Sequence, residues 1–168
     1  RMRRFSIFII VALIFSLFGD VFLMIDPKNP LFFKLGLLSF LIAQTSYICA
    51  FLNNFFRSKK AGNWVINSLF LILFSAFYFI MITYLSEHVT NGFGMTVFYG
   101  TAITIMGISA GWRYQKVEVN SFIWILIGAV LFMVSDSIIG YNKFIAGGES
   151  IPAVRIGIMS TYILAQFL

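Results

Sequence analysis

The sequence predicts an all-α integral membrane protein, a polytopic helical bundle with six spans in this chain. Two observations carry that prediction. First, 60% of the 168 residues are hydrophobic and only 11% are charged, with a mean hydropathy of +0.94. A domain solvated by water needs far more polar surface than that. Second, the apolar residues gather in runs near the ~20 that a helix needs to cross a ~30 Å hydrocarbon core.

The first span is expected at Phe5–Met24, after Arg1, Arg3 and Arg4, and stops at "DPKNP", where Pro27 and Pro30 break it. The second covers Leu31–Leu52 and runs into the polar stretch "NNFFRSKKAGN". The third, Trp64–Leu85, ends at "SEHVTNG", and the fourth, Phe93–Trp112, at "RYQKVEVN". The fifth, Ser121–Tyr141, is closed by "NKFIAGGESIP", punctuated by Gly147, Gly148 and Pro152. The sixth, Ala153–Leu168, is cut short by the end of the chain. All six form a single transmembrane domain over residues 1–168.

The net charge of +6 comes from clusters between spans, the pattern of topology-setting loops and not of a nucleic-acid patch. One set of helix ends carries Arg1, Arg3, Arg4, Arg57, Lys59, Lys60, Arg113 and Lys116; the other carries Lys28, Lys34, Lys143 and Arg155. The richer set belongs in the cytoplasm, so the first and fifth spans both run outward. The lone Cys49 reads as a small buried hydrophobe, and the lone His88 as a solvated loop residue.

Two carboxylates interrupt the pattern. Asp20 lies within "IFSLFGDVF" and Asp136 within "LFMVSDSII", each after a small residue, Gly19 or Ser135. The spans that follow also match: "KLGLLSFLIAQ" from Lys34 and "RIGIMSTYILAQ" from Arg155. Together they read as two parallel copies of one helical hairpin, and sites often lie between such repeats. Each acid stands fifteen residues into its span, roughly 22 Å of travel, in the outer third of the core. The repeat further predicts two spans before the first, hence eight in an intact protein.

A carboxylate at mid-helix costs about 2.5–3.5 kcal/mol on insertion scales, so these acids should face a bundle interior or wet cavity. Two buried carboxyls close together favour holding one proton between them, which suits acid–base catalysis. The plainer alternative is a polar contact that glues helices. Gln44 and Tyr47 share a face at i, i+3, and Tyr162 and Gln166 at i, i+4, so all four are candidate pocket residues. Lys34 and Arg155 begin their helices on the outer side, where they either hold a lipid phosphate or snorkel to the interface. No spacing of His and Cys suggests a metal, and no glycine-rich phosphate loop or nucleophile elbow is present, so no cofactor is expected.

The blocks "FSLFGDVFLM", "FLIAQTSYICAF", "GAVLFMVSDSIIGYNKF" and "STYILAQFL" resemble the YhhN family of membrane proteins, in the family's order and over nearly the whole chain. The resemblance implies an eight-span bundle, with Asp20 and Asp136 matching the family's essential acids. It implies hydrolysis of the vinyl ether bond of lysoplasmalogens, giving a fatty aldehyde and a glycerophospho-base. Many relatives carry His where this chain has Gln44. The implied partners are a lysophospholipid substrate and membrane lipids, with no protein partner, in a multi-pass protein expected in a bacterial inner membrane. Competing readings of the same acids are a proton-coupled transporter, a lipid-binding protein and an aspartyl intramembrane protease. The protease reading is weakened because Leu17 stands where a G-x-G-D stretch has its first glycine.

Overall fold

The computed structural model describes residues 4–25, 29–89, 93–145 and 152–168. Arg1, Arg3, Pro27, Lys28, Gly147 and Gly148, used above for topology and turns, lie outside them. The described residues form six helices: α1 Arg4–Ile25, α2 Pro30–Arg57, α3 Trp64–Ser86, α4 Phe93–Gly111, α5 Val119–Phe144 and α6 Pro152–Phe167. Five are long and apolar enough to cross a membrane, and the sixth spans 16 residues. The chain is a polytopic helical membrane protein.

Local chemistry sets the boundaries. Asn29 caps α2, accepting from the Leu31 N–H at 3.0 Å, with Pro30 in the first turn. Asn63 caps α3 through the N–H groups of Val65 and Ile66. The second helix runs past the expected Leu52 to Arg57. Asn53 and Asn54 are half-buried there, and Arg57 is exposed and complements the helix C-terminus.

The helices pack as two hairpins, α1 on α2 and α5 on α6, with α4 between α2 and α5 and α3 outside them. Small residues let the hairpins close. A Cβ on Gly19 would lie 2.7 Å from the Phe40 ring, and one on Gly36 would lie 2.8 Å from Leu23. In the other hairpin a Cβ on Gly128 would meet the Ala165 carbonyl at 3.1 Å, and Ser135 Oγ donates to the Ile158 carbonyl at 3.2 Å. The small residue before each acid is therefore where its partner helix approaches.

Leu17, Phe18, Leu69, Ile72 and Phe79 stay exposed, an apolar face suited to lipid. Cys49 corrects an expectation: it is exposed, not buried. The buried face of α2 runs through Phe40, Ala43, Gln44, Ala50 and Phe51, and Cys49 falls off that stripe. Arg57, Lys59 and Lys60 are exposed at one end of the bundle. Arg113, grouped with them by sequence, is instead 1% exposed. Its guanidinium donates to the Ser121 carbonyl and Oγ, and lies 5.7 Å and 5.5 Å from the ring centroids of Phe5 and Phe51.

Candidate active site

The two hairpins exchange polar contacts crosswise. Asp136 on α5 accepts from Gln44 of α2, whose Nε2 lies 3.3 Å from Oδ2. The same oxygen accepts from the hydroxyl of Tyr99 on α4. Asp20 on α1 accepts from the Tyr162 hydroxyl of α6 at 2.8 Å. A third link joins three helices: the Tyr47 hydroxyl donates to Gln166 Oε1 at 2.6 Å, and Gln166 Nε2 donates to Ser16 Oγ at 3.1 Å.

Aromatic packing holds this polar layer in register. Phe40, Phe132 and Tyr162 meet edge-on, with centroids 5.7–6.3 Å apart, a geometry that favours the ring quadrupoles. The Tyr162 ring is thus fixed by packing before its hydroxyl meets Asp20.

Asp136 also borders a cavity of about 110 Å³. Its walls are Leu23, Phe33, Leu37, Phe77, Met81, Ile103 and Met133, with Tyr99 and Asp136 among its few polar groups. Leu23, Phe33, Leu37 and Met81 lie toward the helix ends opposite the Arg57–Lys60 cluster, the outer side by the charge rule, and Phe77, Ile103 and Met133 lie near mid-helix. A second cavity, of about 190 Å³, lies toward the other end and touches Tyr47, Gln166, Phe51 and Phe132. Asp136 and Tyr99 present a carboxyl and a hydroxyl to the apolar chamber, while Gln44, Asp20 and Tyr162 stand in the polar layer beside them without lining either cavity.

Six of the eight sequence-derived site residues are therefore drawn together: Asp20, Asp136, Gln44, Tyr47, Tyr162 and Gln166. Lys34 and Arg155 are exposed, border neither cavity, and bond to none of the six among the described residues. Tyr99 and Ser16 were not anticipated. Matching polar residues by depth would have found Tyr99, which stands six residues from the outer end of α4, as Asp136 stands eight from that of α5.

Over 170 aligned residues the chain is 29% identical to "Lysoplasmalogenase TMEM86A" of Bos taurus, covering 95% of this chain and 62% of that protein. The Homo sapiens protein of the same name is 29% identical over 166 residues, with the same two coverages. The chain thus spans about three-fifths of the length of the curated relatives it matches. No solved structure matches it. The model of the YhhN family matches residues 1–168, and with the quoted acid-centred blocks this means that the chain belongs to the YhhN family.

Proposed function

We propose that the protein hydrolyses the vinyl ether bond of lysoplasmalogen-type lysophospholipids, with Asp20 and Asp136 as its acid–base pair. The observation that carries the reading is Asp136 itself. It borders an apolar chamber, and both of its donors among the described residues bond to Oδ2. Oδ1 is left for a substrate. The names of the two relatives agree with this chemistry.

The reaction needs few groups. A protonated carboxyl gives its proton to the alkene carbon β to the ether oxygen, and the ether oxygen shares the resulting charge as an oxocarbenium ion. Water adds to the adjacent carbon, and the hemiacetal collapses to aldehyde and alcohol. Carboxyl pairs handle a similar cation in glycoside hydrolysis. A helical bundle fits a bacterial inner membrane, since outer membranes are spanned by β-barrels.

The test uses full-length protein in detergent, lysoplasmalogen and a matched alkyl-ether control in D₂O. The expected product is aldehyde from the vinyl ether alone, with one deuterium on the carbon beside the carbonyl. Folded Asp20→Asn and Asp136→Asn variants should lose it. Aldehyde without the label would sink the mechanism.

A second reading draws on the two cavities at opposite ends of the acid layer, an arrangement that also suits a proton-coupled carrier. Uptake into liposomes driven by a pH gradient, without lipid turnover, would select it.

A further inference from the structure

Gln44 is the most deeply enclosed polar residue of the site. It is 0% exposed, on the buried stripe of α2, with Ala43 before it and Phe40 one turn away. Its amide is half used. Nε2 donates to Asp136 Oδ2, while Oε1 is a buried acceptor with no protein partner among the described residues. The amide is assigned this way because Asp136 Oδ2, an acceptor, takes the NH2 group and not a second oxygen, which leaves the carbonyl oxygen as the orphan. Buried acceptors are ordinarily satisfied, and an exception beside a reacting group needs a reason. The orphan oxygen belongs to the amide whose Nε2 bonds the carboxyl that borders the chamber.

Hydrolysis needs a water at that place. Once the alkene carbon is protonated, the oxocarbenium carbon must be captured before the proton returns. We infer that Gln44 Oε1 holds the hydrolytic water, accepting one of its hydrogens and presenting its oxygen to that carbon. The inference rests on the hydrolytic reading above. Asp136 transfers the proton from Oδ1, and the alkene π pair forms the new C–H bond. The water oxygen bonds to the cationic carbon, and its second proton passes back to the Asp20–Asp136 pair, restoring the acid. The hemiacetal proton then moves to the glyceryl oxygen as that C–O bond breaks. Gln44 is a positioning residue, acting through the water.

The test follows both product and recovered substrate in D₂O, with full-length protein and lysoplasmalogen. Wild type should label the aldehyde and leave recovered lipid unlabelled. In Gln44→Leu, capture slows, so protonation reverses. Aldehyde should form at least about tenfold more slowly, and recovered lipid should be one mass unit heavier at the alkene carbon. Gln44→His, which keeps one donor and one acceptor, should restore both behaviours. Slow aldehyde with unlabelled lipid would mean that Gln44 only orients Asp136, and would overturn the inference while leaving the hydrolase intact. A second measurement needs no variant. With methanol added, wild type should give no mixed methyl acetal, because its water is held in place. Acetal rising in proportion to methanol would overturn the inference. No aldehyde from wild type would remove the hydrolytic reading and this inference with it.

Discussion

The hydroxyl of Tyr162 donates to Asp20 at 2.8 Å, tying the last helix to the first. The ring that carries it packs edge-on against Phe40 and Phe132. Hydroxyl and ring can therefore be removed separately. A hydrogen bond to a charged group contributes about 1.5–3 kcal/mol, so Tyr162→Phe should lower stability within that range and sharply reduce aldehyde production. Tyr162→Ala also loses the packing and should cost about 3–5 kcal/mol. Thermal unfolding in detergent compares the two; an unchanged Tyr162→Phe would show that the hydroxyl contributes nothing to the fold, and equal losses would show that the ring packing contributes nothing.

Tyr99 stands in the same relation to Asp136, and it also borders the chamber. Tyr99→Phe keeps the ring and removes one of two donors on Oδ2. Losing about 1.5–3 kcal/mol of carboxylate stabilisation corresponds to a turnover about 10- to 100-fold lower. KM should change little, since no binding contact is lost. Turnover within twofold of wild type would exclude Tyr99 from the proton-transfer step.

Glycine substitutions separate close packing from helix propensity. A Cβ on Gly19 would press on the Phe40 ring, which itself rests on Phe132 and Tyr162. Gly19→Ala should cost about 1–3 kcal/mol through overpacking and disturb the Tyr162–Asp20 contact. Gly157 on α6 has no neighbour within 4 Å of such an atom. Gly157→Ala should be neutral or stabilising by up to about 1 kcal/mol. Equal stability changes at both positions, read by thermal unfolding, would contradict this account.

For the lysophospholipid hydrolysis proposed above, Lys143 is the cation placed to meet the substrate phosphate, ahead of Lys34 and Arg155. Lys143 Nζ lies 4.9 Å from the centroid of the Phe33 ring, and Phe33 borders the chamber. Lys143 is two helical turns beyond Asp136, about 10 Å along the axis, the scale of a glycerophosphate. Lys143→Gln should raise KM severalfold for lysoplasmalogen and leave it unchanged for a 1-alkenylglycerol without phosphate. A rise for both lipids would assign Lys143 to packing, and a rise in Lys34→Gln or Arg155→Gln alone would move the headgroup to those residues.

What the sequence made legible follows from contrast. Asp20 and Asp136 stood out because carboxylates are rare in apolar runs, and Gln44, Tyr47, Tyr162 and Gln166 because helical spacing aligned them. Tyr99 did not stand out. In "VFYGT" it is one aromatic residue beside another, and only the neighbour across the helix interface gives its hydroxyl a role. Ser16 was hidden for the same reason, as a small residue on a small-residue stripe. Lys34 and Arg155 were singled out by their matching places in the repeat, whereas contact with the chamber depends on which helix face turns inward. Cys49 was misjudged because polarity alone does not tell a core-facing position from a lipid-facing one in an apolar helix.

Arg113 was equally invisible, since a basic residue after a span reads as a topology signal. Burial lowers its pKa to about 10, so it stays charged at neutral pH. Its fork spans the Ser121 carbonyl and Oγ, and its plane lies by Phe5 and Phe51. An ammonium group cannot reproduce that fork, so Arg113→Lys should be destabilised at pH 7 by about 1–3 kcal/mol through poorly paired donors. Burial also lowers a lysine pKa below its unfolded value of about 10.4. Below the folded pKa the charged amine opposes folding. As pH rises from the folded toward the unfolded value, the folded state sheds its proton first and stability recovers. The deficit relative to wild type should therefore narrow between pH 7 and pH 9.5, approximately, as burial brings the lysine titration into that range. Unfolding of both proteins at the two pH values decides the matter: a deficit that stays constant would assign Arg113 to shape and not to charge.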